Sequence, residues 1–131
     1  MAIFARQMLR GERVTIFGDG TKTRDYVYVS DVVEATVRAA SGPSGLVANL
    51  GSGCEVSDME VFREIAAATG YSEPPAHADV RPGEILRICL DPSLAFRTWG
   101  WRATISLTDG LGSVVEHAHH SRTAGAALSS P

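Results

Sequence analysis

The sequence predicts a mixed α/β fold, and three features carry that expectation. Short β-branched or aromatic runs alternate with capped stretches of helical periodicity. Glycine and proline clusters separate them. Residues 25–50 have the strand–helix–strand order of a βαβ unit.

Ile3, Phe4, Met8 and Leu9 fall at helical spacing within residues 2–10, and Gly11 stops the run. Val14 to Phe17 reads as a strand, Gly18-Asp19-Gly20 as a turn, and 25–29 as a second strand with tyrosines on one face and valines on the other. Asp31 is placed to cap the next helix, with Glu34 reaching back in a capping box; Val33, Val37 and Ala40 share one face. The glycine-bounded run 46–50 suits a buried parallel strand. Ser57 to Glu60 forms a second capping box ahead of Val61, Phe62, Ile65 and Ala68, and Gly70 supplies the stop. Pro74-Pro75 opens a loop, and 86–90 alternates as a strand does. Asp91 caps a helix with Pro92 in its first position, ending near Gly100. A last helix starts at Ser106, with Leu107, Leu111, Val114 and Val115 inward, and Trp99 and Trp101 read as packing anchors. Residues 120–131 are small and polar, so a folded portion over 1–119 is expected to carry a disordered tail.

At 131 residues the chain is one domain or part of one. A net charge of −3 argues against a nucleic-acid partner, which needs a basic stripe, but not against a small anion. No window approaches the ~20 apolar residues of a membrane span, and the first residues lack the pattern of a secretory signal. Cys54 and Cys89 form no CxxC and read as small buried hydrophobes in a reducing compartment, so a cytoplasmic location is expected.

The densest polar constellation is Gly18 to Asp25, where glycine-freed amides and Arg24 could meet phosphate oxygens. The plain alternative is a hairpin turn. A calcium loop is a further option, although the central acids, the turn glycine and the closing glutamate are missing. Arg81-Pro82-Gly83-Glu84 is the second constellation; it could offer a guanidinium to phosphate and a carboxylate to ribose hydroxyls, or be a surface turn. His117, His119 and His120 beside Glu116 could bind a transition metal, but at a helix end nothing fixes their geometry and no metal site is expected. His77 reads as a loop residue.

Four segments together carry a resemblance. Residues 15–31, TIFGDGTKTRDYVYVSD, resemble the GxGxxxRDxxxVxD segment of NDP-sugar epimerases and dehydratases of the extended short-chain dehydrogenase/reductase family. Asn49 to Gly53 is similar to that family's NLGSG turn, Arg81 to Glu84 to its RPGD/E loop, and 91–101 to its DxSxAxxxLGW helix, with Trp99 for the usual leucine. The resemblance implies an incomplete α/β fold: the substrate-binding domain plus the last strand and helix of the Rossmann domain. It implies that Arg24 and Arg81 grip the diphosphate of a UDP- or dTDP-sugar, that Glu84 meets the ribose, and that Ile16 and Phe17 lie beside the base. Asp31 and its helix would be structural.

The family oxidises a sugar carbon with NAD, then epimerises or dehydrates the sugar. Neither its GxxGxxG turn nor its catalytic Tyr-x-x-x-Lys occurs in these 131 residues, where Lys22 is the one lysine. No catalytic residue, no NAD bound to this chain by itself and no turnover are therefore expected. Two readings follow: one portion of an epimerase/dehydratase, partnered by a separate Rossmann half or by self-association, or a non-catalytic module that binds a nucleotide-sugar or a protein. If helix 31–40 and strand 46–50 are Rossmann elements, Val33, Val37, Val47 and Leu50 are left uncovered.

Overall fold

A computed structural model describes residues 1–127, in two compact units that are taken in turn. The first unit comprises Met1–Thr21, Asp58–Glu84 and the chain from Thr108 onward. Helix α1 (Ala2–Leu9) buries Ala5 and Met8. Strand β1 (Thr15–Phe17) follows, with Ile16 inward and Thr15 outward, as alternation demands. Helix α3 (Asp58–Thr69) begins where its capping residues place it, and Gly70 ends it at φ +71°, a left-handed value that favours glycine. Val61, Phe62 and Ile65 of α3 join Val14, Ile16, Leu111 and Val115 in the core. Phe62 meets Phe4 and Tyr71 edge-on, at centroid distances of 6.4 and 6.3 Å.

Strand β4 (Ala76–Ala78) runs parallel to β1, with His77 opposite Ile16. Ala-His-Ala after two prolines has no strand pattern of its own. Its extended form is imposed by β1, through Ala76 N–H to Val14 C=O and Gly18 N–H to Ala78 C=O, both 2.8 Å. Helix α5 (Leu107–Ala127) also departs from expectation, since residues 120–127 continue it where a disordered tail was expected. Alanine-rich composition favours that continuation. Residues 128–131 lie outside the described residues.

The second unit comprises Lys22–Ser57 and Ile85–Leu107. Strand β2 (Thr23–Arg24) pairs antiparallel with β3 (Val56–Ser57). The strand expected over 25–29 does not form: β2 stops at Arg24, and helix α2 (Val29–Ala40) starts before Asp31. Tyr28 occupies the N-cap without a side-chain hydrogen bond, so Asp31 is not the cap. Glu34 pairs with Arg38 one turn on rather than reaching back.

The strands expected at 46–50 and 86–90 are irregular, and so the βαβ unit is not formed among the described residues. A strand needs a neighbour for its ladder. Along the main chain, residues 86–88 meet β2 through Thr23 N–H to Leu86 C=O (2.9 Å) and Ile88 N–H to Thr23 C=O (3.3 Å), before Leu90 N–H turns to the Asp25 carboxylate. Helix α4 (Ser93–Trp99) starts one residue later than expected, after Pro92, and ends on Gly100 at φ +63°. Ala35, Ala95 and Trp101 form this unit's core, with Ala48 and Leu50 packed against it.

Helix α2 buries Asp31 and Ala35 and turns its valines outward: Val29, Val33 and Val37 are 67, 56 and 66% exposed, and nearby in sequence Val47 is 89% exposed. Apolar faces of this kind mark an interface or an aggregation liability. The chain is accordingly expected to self-associate, eluting above the monomer mass in light-scattering chromatography. A monodisperse monomer melting cooperatively above about 60 °C, near the upper range of ordinary mesophile domains, would overturn this.

Candidate functional site

The site in the first unit is built where β1 runs out. Gly18 and Gly20 both have left-handed φ, +84° and +83°. A Cβ on Gly18 would also lie 3.1 Å from the Val80 side chain, so this position needs glycine on two counts. Between them Asp19 Oδ1 accepts the Thr21 N–H (2.9 Å) and hydroxyl (2.6 Å). The Thr21 hydroxyl, then its amide, hold the Asp19 carboxyl below the usual carboxylate range. Asp19 is thus used inside its own turn, and no group of three or more His, Cys, Asp or Glu able to hold a metal occurs among the described residues. His77, on β4, donates from Nδ1 to the Gly18 carbonyl at 2.7 Å and braces the loop.

Arg81 to Glu84 follows on the same unit. Glu84 N–H donates to Arg81 C=O at 3.3 Å, Pro82 stands second and Gly83, at φ +76°, third. That is the sequence requirement of a type II turn. The Arg81 guanidinium lies 3.8 Å over the centre of the Phe17 ring. Arg81 is exposed, whereas Phe17 and Glu84 are partly buried. Ile16 is 1% exposed, its side chain in the core. Phe17 and Arg81 are therefore brought together, and Glu84 is tied to Arg81 by the turn. Arg24 belongs to the second unit, partly buried, and donates from Nη1 to the Thr23 carbonyl at 2.7 Å.

The second unit holds two carboxylates whose roles sequence reading missed. Asp25 accepts Ser52 N–H (2.8 Å) and hydroxyl (2.6 Å), Gly53 N–H (3.1 Å) and Leu90 N–H (3.1 Å). Burial alone would raise its pKa, but these bonds outweigh burial and hold it below the ordinary value. A Cβ on Gly51 would sit 2.7 Å from Asp25 Oδ2 and 2.6 Å from the Leu90 side chain, which explains the glycine in the Asn49 to Gly53 turn. Glu55 accepts the Arg87 fork at 3.0 and 2.7 Å and the Thr23 hydroxyl at 2.8 Å. Cys54 and Cys89 are exposed here, not the buried residues expected from composition.

Comparison with known proteins decides what the arrangement belongs to. Residues 1–51 match the model of the NAD dependent epimerase/dehydratase family. Solved structures agree over more of the chain. The UDP-glucose 4-epimerase of Thermotoga maritima, solved with UDP-glucose, superposes on 92% of it with a TM-score of 0.89 and 38% identity. The chain belongs to this family. Bacillus cereus UDP-glucuronic acid 4-epimerase, solved with UDP-glucuronic acid and NAD, gives a TM-score of 0.85 at 31% identity over 92% of the chain. Among curated family members, the UDP-glucose 4-epimerase of Mycolicibacterium smegmatis is 42% identical over 88% of the chain, and the dTDP-L-rhamnose 4-epimerase of Burkholderia thailandensis 32% over 87%. The chain spans 37% and 32% of the length of these two relatives, and 39% and 40% of the two structures. The α/β fold is accordingly that of an epimerase in part. No described helix is long and apolar enough to cross a membrane.

Proposed function

We propose that this chain holds the nucleotide diphosphate of a UDP- or dTDP-sugar as part of an NAD-dependent sugar epimerase or dehydratase. The observation that supports it best is the Arg81 guanidinium, stacked on Phe17 at the start of a rigid turn, which presents a planar fork of donors suited to phosphate oxygens. Glu84, tied to it by the turn, is proposed to accept from the ribose hydroxyls. Val14 C=O and Gly18 N–H point at β4, so by the alternation of a strand the main-chain N–H and C=O of Phe17 point to the other edge. Such a donor–acceptor pair complements the acceptor and donor edge of uracil or thymine. Ile16, 1% exposed, is proposed to serve the site by holding β1 in place. Arg24 enters the proposal through its place in the GxGxxxRD motif.

The residues present do not suit NAD. The Gly18-Asp19-Gly20 turn leads to β2 rather than to a helix N-terminus that could receive a pyrophosphate, and no Tyr-x-x-x-Lys is in the sequence. The chain by itself is therefore expected to carry no NAD and not to turn over UDP-glucose. The exposed valines of α2 favour a companion, either a separate Rossmann half or a second copy. Cofactor released on denaturing the purified chain would overturn the first expectation. The diphosphate reading is tested by titrating UDP, UMP and uridine, expected to bind in that order, with uridine hardly bound. Uridine binding as tightly as UDP would sink it.

A further inference from the structure

We infer that Phe17 is a positioning residue for Arg81, fixing its guanidinium for the diphosphate rather than offering its ring to the base. The inference rests on the diphosphate reading above. Arg81 is exposed on a long stem, and such a side chain left alone samples many rotamers. Two contacts at opposite ends limit it here. The turn closed by Glu84 N–H holds its main chain, and the Phe17 ring lies 3.8 Å beneath its head.

Phe17 is a firm base for that contact. It ends β1 between the buried Ile16 and Gly18, whose N–H is bonded to β4 and whose carbonyl is bonded to His77. Stacking uses the face of the guanidinium and leaves its N–H donors free at the rim. A carboxylate in the same place would consume those donors and cancel the charge; a phenyl ring does neither. The ring face under Arg81 is closed to a stacked base at this distance, which leaves the base the main-chain edge of Phe17.

The test uses the whole chain with UDP as probe, comparing Phe17→Met, which keeps apolar bulk, and Phe17→Tyr, which keeps the ring. Without ligand, the Arg81 Nε–H proton resonance should show a ring-current shift that Phe17→Met abolishes and Phe17→Tyr retains. Phe17→Met should weaken UDP binding about two- to fivefold, the size of an exposed cation–π contact, with Phe17→Tyr restoring it. In an Arg81→Ala background Phe17→Met should have no further effect. An equal loss in both backgrounds, or an absent ring-current shift, overturns the positioning role while leaving the diphosphate reading intact. If Arg81→Ala or the wild type shows no dependence of UDP binding on Arg81, the diphosphate reading falls and the positioning role falls with it.

Discussion

Asp31→Ala is expected to destabilise the second unit by several kcal/mol and to lower its melting temperature sharply. The Asp31 side chain is 3% exposed and accepts three hydrogen bonds: Thr104 N–H at 3.1 Å, the Thr104 hydroxyl at 2.8 Å and Ile105 N–H at 3.1 Å. Its own carbonyl accepts the indole N–H of the buried Trp101 at 2.8 Å. Removing the carboxylate strands three donors at once. A hydrogen bond to a charged acceptor contributes about 1.5–3 kcal/mol, so losing three part-buried ones removes a large part of the roughly 5–15 kcal/mol that holds a typical domain together. Asp31→Asn keeps one oxygen but turns an N–H₂ toward donors, so a smaller loss of about 2 kcal/mol is expected. Both tryptophans of the chain, Trp99 and Trp101, lie in this unit, so their fluorescence reports it selectively. Wild-type emission and melting in Asp31→Ala would show that the clasp carries no stability.

The same carboxylate sets an acid limit. Burial raises the Asp31 pKa, but the Ile105 and Thr104 bonds prevail and leave it below its ordinary 3.8. A depressed folded-state pKa stabilises the fold above the unfolded-state value, and that contribution is lost as pH falls through the folded-state value. Asp25 shifts in the same direction. Fluorescence-detected stability should therefore be level above about pH 5 and fall once the pH drops below 3.8, with Asp31→Asn flattening the fall.

What could be read in the sequence was what neighbours decide. Helices α1 and α3, the stops at Gly70 and Gly100, and the Pro-Gly turn at Arg81 depend on residues a few positions apart. Strand β4 could not be read, because Ala-His-Ala is extended by pairing with β1. Runs 46–50 and 86–90 have the strand pattern but lack a full ladder partner, and pattern without a partner gives irregular backbone. Asp31 followed by Glu34 fits a capping box, yet Thr104, 73 positions away, claims the carboxylate. In the candidate site, Arg81 and Glu84 were legible as a turn, whereas the stacking of Arg81 on Phe17 joins β1 to a remote loop. Asp25 lies within the GxGxxxRD segment, but its clasp depends on Ser52, Gly53 and Leu90, which only the fold brings to it.

Arg81→Ala is expected to weaken UDP binding roughly ten- to a hundredfold, because each charge-assisted hydrogen bond contributes about 1.5–3 kcal/mol. Arg24→Ala is expected to do the same through the diphosphate, although its Nη1 also holds the Thr23 carbonyl. The variants differ in what else they disturb. Arg81 is exposed and its loss should leave the melting temperature in place, while Arg24 is a residue of β2 and its loss should lower it slightly. Arg→Lys at either position should recover only part of the affinity, since an ammonium cannot offer two parallel donors in a plane. UMP should lose less than UDP in each variant, because one phosphate presents fewer oxygens to the missing fork. Salt should weaken wild-type binding more steeply than binding to either alanine variant, since fewer charges then meet the ligand. Calorimetric titration of UDP and UMP into wild type, both alanine variants and both lysine variants decides the matter. If Arg24→Ala and Arg81→Ala each bind UDP as well as wild type, the two arginines are ordinary surface residues and the diphosphate assignment is wrong.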